Sequence, residues 1–168
     1  KIASRDSSYK CLAQARQARL TKPTGALGTL EDAAIWLADV QQTERPQVQP
    51  AAAIVFASDH PVSKLGVSAY PREVTPMMIL NLVAGGAAAS VLCRLHGLPL
   101  YIVDVGVEPY TDPQPTKGVQ WNRVDLPGEA GDLVNSDAMD AEMVTEALRA
   151  GANAVDAFRS PGRRLVQG

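Results

Sequence analysis

The apolar residues near the N-terminus recur with the period of an amphipathic helix. Apolar positions three and four apart predict one helix over residues 8–20 and a second over 30–42. Thr29 and Asp32 stand three residues apart at the start of the second helix. They resemble a capping box, with Asp in place of the usual Glu. The first part of the chain is therefore predicted to be helical.

Two short apolar runs further along flank the most apolar stretch of the chain. The runs at 52–57 and 100–105 contain β-branched and aromatic residues, and they predict two buried strands. Between them, Thr75 as an N-cap and Pro76 at the first helical position predict a helix over 76–95. Because this helix is apolar on nearly every side, we expect it to pack against a sheet or in a subunit interface.

The order strand, helix, strand is typical of a parallel sheet with right-handed crossovers. A further helix is predicted over 141–158, and the run RLVQ at 164–167 predicts the start of a third strand. Residues 108–137 hold four prolines and three glycines with little periodicity, so no regular element is predicted there. Such a long loop is functional, contacts a partner or is disordered, and all three interpretations stay open. Together these elements predict an α/β fold.

Composition restricts the classes of protein that fit this pattern. With 168 residues and 46% apolar content, the chain can bury one full core but is too short for two ordinary domains. Its 16 Lys and Arg against 18 Asp and Glu give a net charge of -2, which leaves no basic face for a nucleic acid. Asn81 and the pair Gly85-Gly86 interrupt the most apolar stretch, which argues for a buried helix over a membrane span.

Cys11 and Cys93 have neither a CxxC motif nor a histidine at ligand spacing. This pattern argues against a disulfide scaffold or a structural zinc site and favours a reducing compartment, so we expect a cytoplasmic protein. The chain opens on Lys1 rather than Met and shows no signal-peptide pattern. We therefore expect it to come from a longer reading frame.

Polar residues follow both predicted strands, at the edge where open parallel sheets bind ligands. Ser58, Asp59 and His60 come after the first strand, and Asp104 lies near the end of the second. These residues place two carboxylates and one imidazole at one edge as candidates for ligand binding. Aspartates after strands also often cap turns, and a lone histidine is often a scaffold residue, so both interpretations stay open. His96, near a helix C-terminus, is interpreted as structural.

The loop GVSAYPRE at 66–73 offers a hydroxyl, a phenol and backbone N–H groups just before the long helix. It suits a polar or aromatic ligand and is equally consistent with an ordinary turn. The sequence contains no Walker, GxGxxG, GxSxG or HExxH motif. The residues alone therefore predict an α/β chain with a site at one sheet edge, without a defined reaction.

Four segments together resemble one known family. They are LTKPTGALGTLE (20–31), FASDHPVSKLGVSAYPREVT (56–75), NLVAGGAAASVL (81–92) and VDVGV (103–107), in the family's order and approximate spacing. They resemble the N-terminal half of nicotinate-nucleotide dimethylbenzimidazole phosphoribosyltransferase, a cobalamin-pathway enzyme. Later pieces, GDLVNSDAM and EALRAGANAV, also fit. Each motif is modest alone, but four in order make the match strong.

The resemblance implies an enzyme with a Rossmann-like, three-layer parallel-sheet core, incomplete in this chain, and a smaller helical domain. Residues 1–45 are then expected to supply helices of the small domain, and residues 46–168 the first part of the α/β domain. The family works as a homodimer without a metal or other cofactor. Its reaction moves phosphoribose from nicotinate mononucleotide to 5,6-dimethylbenzimidazole and gives α-ribazole phosphate and nicotinate.

The resemblance also implies which residues meet the substrates. In the family, the aromatic base is cradled partly by a serine and tyrosine loop and by the start of the following helix. These positions correspond to Ser68, Ala69, Tyr70 and Met77. Together with the sheet-edge residues, the predicted substrate-binding set is Asp59, His60, Ser68, Ala69, Tyr70, Met77 and Asp104.

Three positions depart from the family pattern. Pro61 stands where glycine is usual, which fixes φ and removes a hydrogen-bond donor beside the site. Met77 stands where glutamine is common, and it can pack against a ring but cannot hydrogen-bond one. Ala26 replaces a usual serine. The base therefore stays open among benzimidazole, a substituted relative, a purine and a phenol.

In the family, a strand ending like RLVQG leads into a glycine-rich phosphate motif, and the general-base glutamate lies near the C-terminus. Both fall beyond Gly168, so the resemblance assigns no catalytic residue to this chain. The favoured hypothesis is the N-terminal part of a phosphoribosyltransferase. The alternative is a non-catalytic relative that binds an aromatic base or is a subunit completed by another chain. A hydrolase built on Asp59 and His60 is the poorest hypothesis, because no nucleophile is recognisable.

Overall fold

The computed structural model describes residues 6–108 and 112–158. The chain divides into two compact units, the first ending at Val48 and the second beginning at Gln49. The first unit contains helices α1 (Ser8–Ala18) and α2 (Thr29–Gln41), which confirm the two helices predicted for this region.

The start of α2 is held differently from the prediction. Thr29 is already helical, Gly28 precedes it, and no side chain caps the first turn, so the predicted capping box is wrong. Instead the Glu31 carboxylate accepts a hydrogen bond from the Leu27 N–H at 3.1 Å and pairs with Lys22 at 2.7 Å. The hydrogen bond from Lys22, followed by the one from the backbone, holds the pKa of Glu31 below its ordinary value.

The second unit is built on a three-stranded parallel sheet in the order β1-β2-β3. Its strands are β1 (Ala53–Ala57), β2 (Leu100–Asp104) and β3 (Val119–Arg123). The last residues of the three strands are register partners, so their carboxyl ends lie level at one edge. Both predicted strands and the α/β class with a parallel sheet are confirmed.

Strand β3 lies inside 108–137, so the prediction of no regular element there is wrong. Gln120 and Asn122 are exposed on either side of the half-buried Trp121, an alternation too short to stand out among turn-forming residues. Pairing with β2, far away in sequence, is what stabilises this strand. The strand predicted at 164–167 lies outside the described residues.

The most apolar stretch forms two helices, α3 (Val74–Val83) and α4 (Ala88–Leu95), so the prediction of one continuous helix is wrong. Gly85 has φ of +84°, a left-handed conformation that ends a helix at little cost only for glycine. Arg94 donates a hydrogen bond to the Gly85 carbonyl at 3.1 Å, which satisfies a backbone group near the break.

The start of α3 differs from the prediction, whereas the bounds of the last described helix agree with it. The predicted cap is wrong because Thr75 lies inside α3, which begins at Val74 without a side-chain cap. Helix α5 (Ala141–Phe158) has the predicted bounds.

The core of the second unit lies between the sheet and helices α3 and α4. Its buried members are Ile79, Val83, Cys93, Leu100, Ile102 and Val107. Among the described residues, the segment Val74–Leu95 is the one helical stretch long and apolar enough to span a membrane by length and composition. That is weak evidence for a span, because core helices of soluble proteins pass the same test.

Candidate functional site

The carboxyl ends of the strands open into a cavity of about 640 Å³. Side chains from the loops after all three strands and from the segment around the start of α5 line it. They include Asp59, His60, Arg72, Glu108, Arg123 and Met143. Two predicted site residues, Asp59 and His60, therefore border one cavity at the predicted edge.

Asp59 connects three segments around this cavity. Its Oδ2 atom accepts a hydrogen bond from the Glu108 N–H at 3.1 Å and lies 3.4 Å from Arg72 Nε. The Asp59 N–H donates to the Gly106 carbonyl at 3.2 Å. Its side chain is only 6% exposed. Through these contacts Asp59 connects the loop after β1 both to the loop after β2 and to the segment before α3.

His60 is exposed and borders the cavity directly after Asp59. Its carbonyl accepts hydrogen bonds from the Ser63 N–H at 3.0 Å and from Ser63 Oγ at 2.8 Å, within a short 3-10 helix, Pro61–Leu65. Pro61 occupies the first position of that helix, where the missing N–H has no partner to lose. The proline that departs from the resemblance is thus accommodated by the local backbone.

Asp104 lies at the same edge but is almost completely buried, with 1% exposure. Its Oδ1 atom accepts hydrogen bonds from the N–H groups of Gly106 at 3.0 Å and Val107 at 2.8 Å. Its Oδ2 atom pairs with Arg123 at 3.2 Å. The carboxylate therefore shapes the turn after β2, and Asp104 does not line the cavity described above.

Arg123, the last residue of β3, is a cavity residue that the sequence did not suggest. Its guanidinium pairs with Asp104, with Glu108 at 3.0 Å and with Asp125 at 2.8 Å. The hydrogen bond that Arg123 donates to Asp125 is the largest influence that raises the pKa of Arg123, and partial burial opposes it. The only sequence signal for this residue is the short alternation VQWNR that defines β3.

The predicted base loop lies apart from these cavity-lining side chains. Tyr70 is 72% exposed and Met77 is 58% exposed, and Ser68 and Ala69 are exposed as well. The Ser68 Oγ accepts a hydrogen bond from the Tyr70 N–H at 3.2 Å, which shapes the loop. None of the four lines the cavity, and Arg72, two residues after Tyr70, is the residue of this loop that does.

Metal ligands do not cluster in the part of the chain that the structure describes. No group of three or more His, Cys, Asp or Glu side chains within 6–108 and 112–158 is arranged to hold an ion. The polar groups that line the cavity are carboxylates, two guanidinium groups, the Lys64 ammonium, the Ser58 hydroxyl and the His60 imidazole.

Comparison with known proteins assigns the chain to a family. A family model described as phosphoribosyltransferase matches residues 2–168. The nicotinate-nucleotide dimethylbenzimidazole phosphoribosyltransferase of Mycobacterium avium (strain 104) is 42% identical over 166 residues, which is 98% of this chain and 46% of that protein. The chain belongs to the nicotinate-nucleotide dimethylbenzimidazole phosphoribosyltransferase family. The resemblance seen in the sequence is thereby confirmed.

Other members of the nicotinate-nucleotide dimethylbenzimidazole phosphoribosyltransferase family are similar to this chain in sequence and in structure. The Ralstonia nicotianae protein is 40% identical over 167 residues, 98% of this chain and 46% of its own length. The crystal structure of the Thermus thermophilus protein superposes with a TM-score of 0.78 at 37% identity, over 97% of this chain and 48% of that one. This chain spans about half the length of the relatives it matches.

Proposed function

We propose that this chain forms the aromatic-base-binding part of a protein that transfers phosphoribose from nicotinate mononucleotide to 5,6-dimethylbenzimidazole. In that reaction, a ring nitrogen of the base bonds to the anomeric carbon while the bond from that carbon to the nicotinate nitrogen breaks. The products are α-ribazole phosphate and nicotinate, and the second ring nitrogen of the base loses its proton. Family membership supports the reaction class.

The observation that carries the proposal is the cavity at the carboxyl ends of the parallel strands. Its volume of about 640 Å³ lies within the range of roughly 300–1,000 Å³ that small-molecule sites occupy. Asp59 and His60 border it, and Arg72 and Arg123 supply guanidinium groups beside them. A planar heterocycle with polar nitrogens and an anionic nucleotide suit such a lining.

Arg72 gives the proposal a link between the cavity and the base loop. Its guanidinium lines the cavity and pairs with Asp59, and it lies in the same loop as Ser68 and Tyr70. We propose that the exposed ring of Tyr70 and the side chain of Met77 contact one face of the base. Asp104 acts indirectly, by holding Arg123 and the turn after β2.

No residue of this chain is proposed as the general base. Asp59 is engaged by Arg72 and by the Glu108 N–H, and Asp104 is buried under Arg123. Both carboxylates are therefore suited to positioning rather than to accepting a proton. What the cavity contributes to rate is orientation, since holding two reactants in line removes most of the entropic part of the barrier.

Several broader features belong to the same proposal. We propose that the first unit is part of a small helical domain and the second the start of a Rossmann-like, three-layer domain. We further propose that the complete protein is a cytoplasmic homodimer that uses no cofactor and binds neither nucleic acid nor membrane. The two free cysteines are consistent with a reducing compartment.

Binding of 5,6-dimethylbenzimidazole to the 168-residue chain tests the proposal directly. The Tyr70→Ala variant should bind it about two- to tenfold more weakly, because a stacked aromatic contact contributes about 0.5–1.5 kcal/mol. The Tyr70→Phe variant keeps the ring and should bind like the unchanged chain. Amide shifts in an NMR titration give the affinity of each form.

Mass spectrometry of the chain with nicotinate mononucleotide and the base supplies the second readout. Formation of α-ribazole phosphate supports transfer by this chain. Base binding that depends on Tyr70, without product, supports the narrower role of a base-binding part. If the folded chain neither binds the base nor forms product, the proposal is overturned.

A further inference from the structure

A second cavity lies where β2 and β3 begin, at the opposite edge of the sheet from the candidate site. Its volume is about 460 Å³, and we call it the α4 groove. The side chains that define it are Cys93, Arg94, Leu98, Pro99, Lys117 and Val119. As the described residues define them, the two cavities share no lining residue.

The inner wall of the α4 groove is apolar. Leu100 is 1% exposed and Cys93 is 7% exposed, and both belong to the core. Leu98 and Val119 are partly buried against the same core. Burial raises the pKa of the Cys93 thiol, so this wall stays uncharged at neutral pH. Burial of a ring or another flat apolar group against this wall is therefore favourable, because it removes apolar surface from water.

The charge of the groove is opposite to that of the chain. Of the described residues that line it, Arg94 and Lys117 are basic and none is acidic, although the chain carries 18 Asp and Glu against 16 Lys and Arg. Among the described residues, neither Arg94 nor Lys117 forms an ion pair. The groove therefore presents two cationic side chains beside an apolar wall.

The hydroxyl groups of the groove already use their protons inside the protein. Ser90 Oγ donates to the Leu82 carbonyl at 2.6 Å, and Thr116 Oγ1 donates to the Val83 carbonyl at 3.0 Å. Arg94 donates one N–H to Gly85, which holds its guanidinium at the groove before any ligand arrives. The donors that remain for a ligand are thus mainly cationic.

We propose that the α4 groove is a second binding site, for a small organic anion that carries one carboxylate or phosphate on a flat apolar body. The apolar body lies against Leu98, Leu100 and Val119, and the anionic group meets Arg94 and Lys117. A volume of about 460 Å³ is within the range of roughly 300–1,000 Å³ for small-molecule sites. The proposal does not depend on the transfer reaction.

Calorimetric titration with 2-naphthoate tests this site, with naphthalen-2-ylmethanol and naphthalen-2-ylmethylamine as neutral and cationic probes of similar shape. The unchanged chain should prefer the naphthoate. Lys117→Glu should weaken naphthoate binding about fivefold or more and improve binding of the amine. That gain also shows that the variant is folded. Arg45→Glu makes the same charge change at an exposed residue that does not line the groove, and should bind like the unchanged chain.

The location of binding is a separate readout. Naphthoate should shift the amide NMR signals of Leu98, Leu100 and Val119 and leave those of Asp59 and His60 in place. The proposal is overturned by an absence of binding at millimolar naphthoate, by equal loss in Lys117→Glu and Arg45→Glu, or by shifts confined to the Asp59 edge. If naphthoate binds at the groove, comparing the carboxylate with a phosphate on the same ring shows which anionic group the site prefers.

Discussion

Three carboxylates share the guanidinium of Arg123, and their exposure decides what each one contributes. Asp104 is 1% exposed at its side chain, Glu108 is 54% exposed and Asp125 is 84% exposed. Exposed ion pairs contribute roughly 0–1 kcal/mol, whereas removing one partner of a buried pair costs about 3–5 kcal/mol. Asp104 is therefore the partner that stabilises this edge of the sheet.

The Asp104→Ala variant should lower the free energy of unfolding by about 3–5 kcal/mol. It removes the buried pair with Arg123 and the acceptor of two backbone N–H groups. Asp125→Ala removes an exposed partner of the same arginine and should cost less than about 1 kcal/mol. Urea unfolding measures both.

Asp104→Asn provides a milder change if the alanine variant does not fold. It keeps an oxygen for the backbone N–H groups and loses only the charge, so its effect should lie between the other two. Equal losses for Asp104→Ala and Asp125→Ala would contradict the structural role given to Asp104.

At the residue scale, the sequence predicted the positions that closely follow a strand. Asp59 and His60 were placed correctly at the sheet edge because each lies within a few residues of the end of β1. Arg72 and Arg123 were missed, since each meets its partner through the fold: Arg123 pairs with Asp104, 19 residues away. Whether the predicted residues bind substrate stays a prediction.

At the element scale, the break between α3 and α4 is decided at Gly85. Its φ of +84° is accessible to glycine and strained for residues with a Cβ. A Cβ there would lie 3.2 Å from the Arg94 guanidinium and 3.4 Å from Thr116 Oγ1. Apolar residues continue on both sides of Gly85, and the sequence predicted one helix because the glycine pair was not interpreted as a helix end.

Gly85→Ala should therefore lower the free energy of unfolding by more than about 1 kcal/mol, mainly through backbone strain. Gly151→Ala is the matched control, because Gly151 lies inside α5 with open space around a Cβ. It should raise stability by about 0.5–1 kcal/mol, as expected for alanine in a helix. In urea unfolding, the two variants should change the free energy of unfolding in opposite directions if the break requires glycine, and in the same direction if it does not.

At the scale of the whole molecule, large apolar side chains remain exposed on α3 and α4. Met77 is 58% exposed, Leu92 is 55% exposed and Leu95 is 73% exposed. Contiguous exposed apolar surface favours association in water. The expectation that this apolar stretch packs against a sheet is confirmed, because α3 and α4 each bury one face there, and their other faces stay exposed.

The isolated 168-residue chain should associate as its concentration rises, as sedimentation velocity would show. Leu92→Lys should reduce this association, because it places a charge on the exposed face of α4. Leu133→Lys makes the same change at a residue of similar exposure, 58%, outside these helices, and should have a smaller effect. Equal effects of the two variants would mean that association does not involve α4.

The local sequence pattern was sufficient to predict β1, β2, α1, α2, α5 and the α/β class. Apolar periodicity and the composition of a strand are properties of neighbouring residues. The family also followed from the order of four short motifs. The fold decided what depends on distant residues: the pairing that makes β3 a strand, the guanidinium of Arg123 shared by three carboxylates, and the contacts of Arg94 and Thr116 around Gly85. Most of these contacts join residues in different elements, 9 residues apart for Arg94 and Gly85 and 19 for Arg123 and Asp104, so the periodicity of a single helix or strand does not contain them.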